Sequence, residues 1–356
     1  MLADVSSALV WIPPAVHRLC LVLLLALTPC AALAEQSPAA PAPHEEALER
    51  ARALLVACAE NRSVDPAAKS GAHYWAEEHA FAWLALKATG WVPTRRARTI
   101  AEYSMPLRED ASSHHSRYVA ARMLLADLAP EVPVSPRWLE QLGSLRISRV
   151  AWRLWQGANI RSLGATLWAS LALHARAGDS ALAQELRTWQ MERYASTQLR
   201  TGGWSMESLS DPQPSGAPRR AEEESLIASL YVAAQVGLAQ GTPGAPAVRT
   251  LPVRRLAGFA RQRLSAGSPG HLLEAMAGNR WNLDDALAYV VVMRTQGRDD
   301  HTWFPALAKR LVETQKGDGS WGTTSEPGRP DIVSTAMGML LLARPSGGVL
   351  PAVRGP

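Results

Sequence analysis

A seven-residue pattern, Gln followed by three residues, Gly, one residue and Trp, occurs twice in this chain of 356 residues. The copies are QLRTGGW at residues 198–204 and QKGDGSW at residues 315–321. Each copy follows an amphipathic helical pattern and precedes a segment that is apolar or small on every side. An amphipathic helix covers a core, whereas a helix that is apolar all round is buried in one. The motif therefore predicts a turn from an outer helix to a buried one.

The same alternation extends over most of the chain, with less regular turns. Buried-type helices are predicted at residues 79–90, 116–128, 162–175, 225–238, 283–294 and 331–343, and outer-type helices at 45–59, 94–104, 136–145, 181–198, 252–264 and 303–315. Such helices cannot bury their apolar surface singly, but stacked hairpins that close on themselves can. We therefore predict an all-α fold, an α/α toroid of about six outer and six inner helices, over residues 45–345.

The motif residues are predicted to be structural rather than catalytic. Gly317 and Gly319 permit positive φ in the turn, while Trp321 and Gln315 cover the junction between hairpins and pair exposed backbone groups. The structural motif residues are Gln198, Gly202, Trp204, Gln315, Gly319 and Trp321.

This repeat, with DGSWG followed by an apolar helix headed by Asp331, resembles the QW repeat of the squalene and oxidosqualene cyclases and the prenyltransferase β subunits. The helical alternation extends the resemblance over roughly residues 45–345. It implies the α/α-toroid fold of that superfamily. Activity is not implied, because toroids of this type support several chemistries.

The signature residues of the best-known family members are incomplete here. The cyclases use an Asp-x-Asp-Asp acid motif, whereas this chain has NLDD at residues 282–285, with Asn282 in the first position. Prenyltransferases of this group bind zinc through Asp, Cys and His, and here Cys58 is the one cysteine outside the N-terminal segment, predicted in an outer helix away from the cavity. We predict no metal and no cofactor.

The N-terminal segment has the pattern of an export signal. An apolar run at residues 19–27 follows Arg18 and leads into Ala32-Leu33-Ala34, an A-x-A cleavage site. Residues 1–34 are predicted as a signal peptide, 35–44 as a flexible lead-in and 346–356 as a disordered tail, which predicts a periplasmic or secreted protein. A retained membrane anchor and lipidation of Cys30 are the alternatives. The mature chain is predicted to have no membrane span, and its interspersed charges, net +5, do not indicate nucleic-acid binding.

Polar residues recur near the starts of the buried-type helices. If these helices are parallel, the residues converge on one mouth of the ring, although helix capping is an alternative explanation for each carboxylate. The candidate catalytic residues are Asp284, Asp285, His114 and Glu78, and the candidate cavity residues are His79, His115, Tyr118, Trp168, Glu224, Tyr231, Tyr289 and Asp331.

The predicted function is that of an exported, cyclase- or prenyltransferase-like toroid that binds a small-molecule or glycan ligand in its central cavity, with its activity unassigned. The alternatives are a polysaccharide lyase- or hydrolase-like enzyme that uses His and Glu at the mouth, and a scaffold without catalysis. Aromatic, apolar walls would favour an isoprenoid ligand, whereas convergent ionisable groups would favour a glycan.

Overall fold

The computed structural model describes residues 43–61, 72–104, 116–131, 137–146, 152, 162–175, 181–200, 203–205, 225–240, 282–298, 300–322, 329–344 and 350. These residues all belong to one compact unit, Pro43–Pro356. They form helices and turns, with an isolated β-bridge between Arg146 and Trp152, and the described ranges contain no strand. The all-α prediction is confirmed.

The described residues contain eleven helices. They are α1 (Pro43–Glu60), α2 (Ala72–Ala88), α3 (Arg95–Ser104), α4 (Ser116–Leu128), α5 (Trp138–Ser144), α6 (Leu163–Ala175), α7 (Ala181–Thr197), α8 (Leu226–Gln240), α9 (Leu283–Thr295), α10 (Asp300–Thr314) and α11 (Ile332–Ala343).

Six of these helices, α2, α4, α6, α8, α9 and α11, are buried on nearly every side. Each packs against the next in this order, and α11 packs against α2, so their contacts form a closed circuit. The remaining five helices each pack against at least one member of the circuit. Helix α1 buries a single stripe four residues apart, Ala47, Ala51, Leu55 and Ala59, as an amphipathic helix does.

Helix boundaries agree closely with the sequence pattern, with one useful exception. Helix α2 begins at Ala72, whereas the apolar pattern predicts a start at residue 79. Glu77, Glu78 and His79 therefore lie inside the helix rather than at its N-terminus, and capping does not account for them. The pattern missed the first turns of α2 because their side chains are mainly polar or aromatic.

Several predicted segments lie outside the described residues. These are the signal segment 1–34, residues 35–42 of the lead-in, the outer helix at 252–264, and residues 346–349 and 351–356 of the tail. Within the described part of the chain, no helix combines the length and the hydropathy needed to cross a membrane.

The turn between α10 and α11 is organised around Trp321. Its indole Nε1 donates to the carbonyl oxygen of Leu311 at 2.8 Å, and its backbone N donates to Thr335 Oγ1 at 3.3 Å. The ring lies against Gly338, where an added Cβ would be 2.6 Å from Trp321 Cε3. Positive φ was expected at both Gly317 and Gly319. Gly319 has φ +85°, whereas Gly317 does not have positive φ. Trp321 thus connects the end of α10 to α11.

Gln315 connects the same turn to the first helix of the described chain. Its Nε2 donates to the carbonyl oxygens of Ala47, at 2.9 Å, and Gly319, at 3.0 Å. Its Oε1 accepts from Arg50 Nη2 at 2.6 Å. A Cβ at Gly319 would lie 2.9 Å from the Arg50 carbonyl oxygen. The Gln of the motif therefore joins α1 to the turn before α11.

The contacts of Trp321 are repeated at two other turns. Trp204 donates from Nε1 to the Tyr194 carbonyl at 3.0 Å and from its backbone N to Ser229 Oγ at 2.9 Å. Trp152 donates to the Leu142 carbonyl at 2.9 Å and to Thr166 Oγ1 at 3.2 Å. In the first motif copy, Gln198 is half-buried, and Gly202 lies outside the described residues.

The turn at Trp152 is a third, degenerate copy of the motif. Arg146 stands where the motif has Gln, and Val150 stands where it has Gly. A search for the full motif therefore overlooks it, although the Trp and its hydrogen bonds are retained.

Candidate functional site

An ion pair joins the first turns of two helices that are not neighbours in the circuit. Nη2 of Arg117, on α4, bonds Oδ2 of Asp284, on α9. Gly164, in the first turn of α6, lies against both, and a Cβ there would be 2.7 Å from Arg117 Nη2. The starts of α4, α6 and α9 therefore meet at one end of the circuit.

This ion pair is largely buried and incompletely hydrogen-bonded. The side chains of Arg117 and Asp284 are 21% and 14% exposed. Arg117 Nε and Asp284 Oδ1 are buried, and neither has a hydrogen-bond partner among the described residues. Burial alone would lower the pKa of Arg117, but the charges of Asp284, then Glu77, raise it above its usual value. Arg117 therefore stays charged, and the pair leaves one donor and one acceptor unused.

Asp285, beside Asp284, has a different environment. It is buried, and Tyr231 on α8 donates its hydroxyl hydrogen to Asp285 Oδ1 at 2.9 Å. Burial raises the pKa of Asp285, the bond from Tyr231 partly opposes this, and the charge of Asp284 adds to the increase. Burial, with the charges of Asp284 and Asp285, also holds the pKa of Tyr231 well above its usual value. Asp285 therefore retains a proton more readily than an exposed aspartate. We call Arg117, Gly164, Tyr231, Asp284 and Asp285 the polar layer.

Two residues near the polar layer serve as helix caps. Asn282 is the N-cap of α9, and its side chain accepts from the backbone N of Asp285 at 2.8 Å. Asp331 is the N-cap of α11 and accepts from the backbone N of Ser334 at 2.9 Å. Asp331 was expected to face the mouth, but its carboxylate bonds its own helix, so capping explains it.

Glu78 joins α2 to the segment that enters α11. Arg329 Nη2 donates to its Oε1 at 2.9 Å and to its Oε2 at 2.7 Å. Burial raises the pKa of Glu78 to about 7, against the opposing charge of Arg329. Glu78 therefore titrates near neutral pH.

His79, a candidate cavity residue, is 1% exposed and therefore lies inside the fold rather than open to solvent at the mouth. Burial lowers its pKa to about 4, and its imidazole is neutral at neutral pH. The other candidates at the rim, His114, His115 and Glu224, lie outside the described residues.

An aromatic layer lies one helical turn deeper than the polar layer. The rings of Phe81 and Trp168 meet edge to face, with centroids 4.8 Å apart. Phe81 follows Glu77 by four residues and Trp168 follows Gly164 by four, so each pair shares a helix face. Both rings are fully buried, and within the described part of the chain Trp168 Nε1 has no hydrogen-bond partner. Phe81 and Trp168 therefore fill the interior beneath the polar layer.

Two tyrosines expected to line the cavity pack against other helices instead. The ring of Tyr118 contacts that of Trp138 on α5, with centroids 6.2 Å apart, and Tyr289 contacts Trp303 on α10 at 5.8 Å. Both tyrosines are buried. These contacts place them in the packing between the circuit and the surrounding helices.

Cys58 lies closer to the candidate residues than its place on α1 suggested. The charges of Glu78 and Arg329 both act on its thiol, although burial is the main reason why its pKa is raised to about 12. The prediction that Cys58 lies away from the candidate residues of the cavity is therefore wrong, because its thiol lies near Glu78. Among the described residues, no three His, Cys, Asp or Glu side chains are grouped to hold a metal ion. The described surroundings of Cys58 therefore do not fit the zinc site of the prenyltransferases.

Four residues of this site are not among the candidates that the sequence indicated: Arg117, Gly164, Phe81 and Arg329. Gly164 carries a weak signal, a lone glycine inside an apolar helix, which often marks a close approach. Arg329 carries none, because its partner Glu78 is 251 positions away.

Comparison with known proteins adds no relative. A scan against models of protein families finds no match, and a search of curated proteins finds no significant similarity.

Proposed function

We propose that this protein is an exported α/α toroid that binds a polar, hydroxyl-bearing ligand at the polar layer. The toroid is supported by the closed circuit of six buried helices, by the helices packed against it, and by three turns with the same Trp contacts. Export is supported by the signal pattern of residues 1–34 alone.

One observation supports the ligand class most strongly. Arg117 Nε and Asp284 Oδ1, a donor and an acceptor in the same ion pair, are buried and have no partner among the residues that the structure describes. A hydroxyl group both donates and accepts, and so can satisfy the two together. An isoprenoid hydrocarbon can satisfy neither, and a buried polar group left unpaired costs about 1–3 kcal/mol. The site therefore favours a glycan or another polyol.

The aromatic layer fits the same ligand class. Trp168 offers a further unpaired donor, and Phe81 and Trp168 occupy the space in which a long apolar ligand would lie. In the described residues the ionisable groups converge and the apolar interior is filled, which favours the polar ligand over the isoprenoid.

An acid–base enzyme acting on such a ligand is the second candidate, and the contrast between Asp284 and Asp285 favours it. Asp284 is paired with Arg117, whereas burial raises the pKa of Asp285. Carboxyl groups in contrasting environments are typical of acid–base pairs. Asp285 would transfer the proton and Tyr231 would hold its carboxyl group in place.

The proposal is tested by calorimetric titration of the full chain with maltohexaose, cellohexaose and chitohexaose, and with farnesene, an isoprenoid hydrocarbon without a hydroxyl group, as the apolar probe. We expect binding of at least one oligosaccharide and not of farnesene, and an at least tenfold weaker oligosaccharide affinity for Asp284→Asn, about 1.4 kcal/mol.

The matched control is Glu131→Gln, which changes a carboxylate paired with Lys87 at 3.0 Å, away from the polar layer. The oligosaccharide affinity of Glu131→Gln should equal that of the unmodified chain. Binding of farnesene alone, or unchanged oligosaccharide affinity in Asp284→Asn, would show the proposal to be wrong.

A further inference from the structure

At the acid end, the end that carries the polar layer, hydrogen bonds and ion pairs join the helices within each of two groups. Arg117 and Asp284 join α4 to α9, with Gly164 of α6 between them, and Tyr231 joins α8 to Asp285. The second group is α1, α2 and α11, which are joined by the Glu78–Arg329 pair and by the bonds of Gln315.

The boundary between α9 and α11 separates these groups. Among the described residues, no hydrogen bond or ion pair joins the first turn of α9 to the first turn of α11. Asp284 and Asp285 are engaged with α4 and α8, and Asp331 bonds its own helix. Both helices begin with acidic residues, Asp284 and Asp285 in the first turn of α9 and Asp331 at the N-cap of α11. The packing between α9 and α11 is also the least extensive around the circuit in the described residues.

At the opposite end of the same boundary, polar contacts join α9 to the end of α11. Arg294, on α9, donates to the carbonyl oxygen of Arg344, the C-cap of α11, at 2.9 Å. Arg344 also pairs with Asp300 at 2.9 Å, and its guanidinium lies 3.4 Å from the ring centroid of Phe304 on α10. We call Arg294, Asp300, Phe304 and Arg344 the clasp.

A ligand needs a movement of this kind to reach Arg117 Nε and Asp284 Oδ1, because these two atoms are buried although their side chains are partly exposed. Asp285 and Tyr231 are buried, as are Phe81 and Trp168 beneath them. We propose that the ring opens between α9 and α11 at the acid end, with the clasp as the pivot, and that this opening admits the ligand. The role as an entrance rests on the proposed function, whereas the opening motion does not.

Hydrogen exchange of the full chain, followed by mass spectrometry without any ligand, tests the motion, because exchange reports local opening. Amides are compared at equal positions from each helix start, beyond the first turn. We expect the N-terminal halves of α9 and α11 to exchange at least about tenfold faster than the matching halves of α4 and α6, and faster than their own C-terminal halves, a factor of ten being about 1.4 kcal/mol.

Two variants of the clasp, Arg344→Gln and Asp300→Asn, should extend this rapid exchange into the C-terminal halves of α9 and α11. The matched control Lys87→Gln breaks an ion pair of similar exposure, Lys87–Glu131, and should leave α9 and α11 unchanged. The comparison within the unmodified chain stands even if one variant does not fold.

Equal exchange in all six helices of the circuit, or fastest exchange at another boundary, would overturn the inference. If an oligosaccharide still binds, that result contradicts an entrance between α9 and α11 but not the proposed function. If α9 and α11 exchange rapidly but no oligosaccharide binds, the proposed function is contradicted and the opening motion is supported.

Discussion

At the scale of single residues, Gly164 allows the polar layer to form. A Cβ at this position would lie 2.7 Å from Arg117 Nη2 and would also meet the carboxylate of Asp284. Both partners are held by their ion pair and cannot move aside freely. We expect Gly164→Ala to lower the free energy of unfolding by about 1–3 kcal/mol, as overpacking does, measured by urea denaturation.

The control for this substitution is Gly143→Ala on α5, where a Cβ would meet nothing within 4 Å. Alanine favours the helix there, and the variant should gain roughly 0.5–1 kcal/mol. A Gly164→Ala protein as stable as Gly143→Ala would mean that the close approach of α6 to the Arg117–Asp284 pair is not present in solution.

Individual residues of the site were only partly predictable. The spacing of apolar residues indicated Asp284 and Asp285 at a helix start, because that is a local property of the chain. Their partners Arg117 and Tyr231 are 167 and 54 positions away, and no local pattern carries that information. The burial of His79 was missed for a related reason, since the neighbours that cover it are distant in sequence.

At the scale of helices and turns, the same hydrogen-bond geometry at Trp152, Trp204 and Trp321 indicates a common type of junction between helices. In each, the indole nitrogen donates to the carbonyl ten residues earlier in the chain. This bond stabilises the end of one helix while the ring packs on the next. The junction is therefore a property of the Trp and its acceptor, and the Gln and Gly of the motif are additions to it.

Trp152→Ala tests whether the degenerate turn is equivalent to the others. Because Trp152 is buried, the loss should be about 3–5 kcal/mol in the free energy of unfolding, the range for a large aromatic residue. Trp152→Phe should lose less, about 1–3 kcal/mol, mainly because the Leu142 carbonyl loses its donor. Thermal or urea unfolding measures both variants.

Trp189→Ala is the comparison for Trp152→Ala, since Trp189 is half-buried and its ring lies 4.0 Å from the guanidinium of Arg146. It should lose clearly less stability than Trp152→Ala. Equal losses would argue against a junction role for Trp152.

Helices were the most predictable level of this structure. Their apolar runs distinguish buried from amphipathic segments over ten or more residues, which averages out local exceptions. The start of α2 was misplaced because Glu77, Glu78 and His79 are polar residues buried by tertiary contacts. Propensity and pattern cannot anticipate such positions.

At the scale of the whole molecule, the closure of the circuit depends on contacts between the two ends of the described chain. Gln315 bonds Ala47, 268 positions away, and Arg329 bonds Glu78, 251 positions away. Alternation of helix types predicts that hairpins stack, but it does not specify which residues close the last hairpin on the first. The Glu78–Arg329 pair is the more informative contact because its charge can be titrated.

The pH dependence of this pair has a definite sign. The folded-state pKa of Glu78, about 7, is above its usual value of 4.5 because of burial. The folded protein therefore binds more protons than the unfolded chain between these values, and the contribution of Glu78 to stability decreases as pH rises from 4.5 to 7. Above pH 7 the carboxylate is charged, and Arg329 is then its counter-ion.

A double-mutant cycle on Glu78 and Arg329 tests the closed circuit most directly. The free energy of unfolding is measured by urea denaturation at pH 8 for the unmodified chain, Glu78→Gln, Arg329→Gln and the double variant. The account predicts a coupling energy between about 0.5 and 3 kcal/mol, the range for residues in contact, which becomes smaller at pH 5 as Glu78 is protonated. If the two single-variant changes in unfolding free energy at pH 8 add up to that of the double variant within about 0.3 kcal/mol, the two residues do not meet. That result would contradict a circuit closed by the packing of α11 on α2.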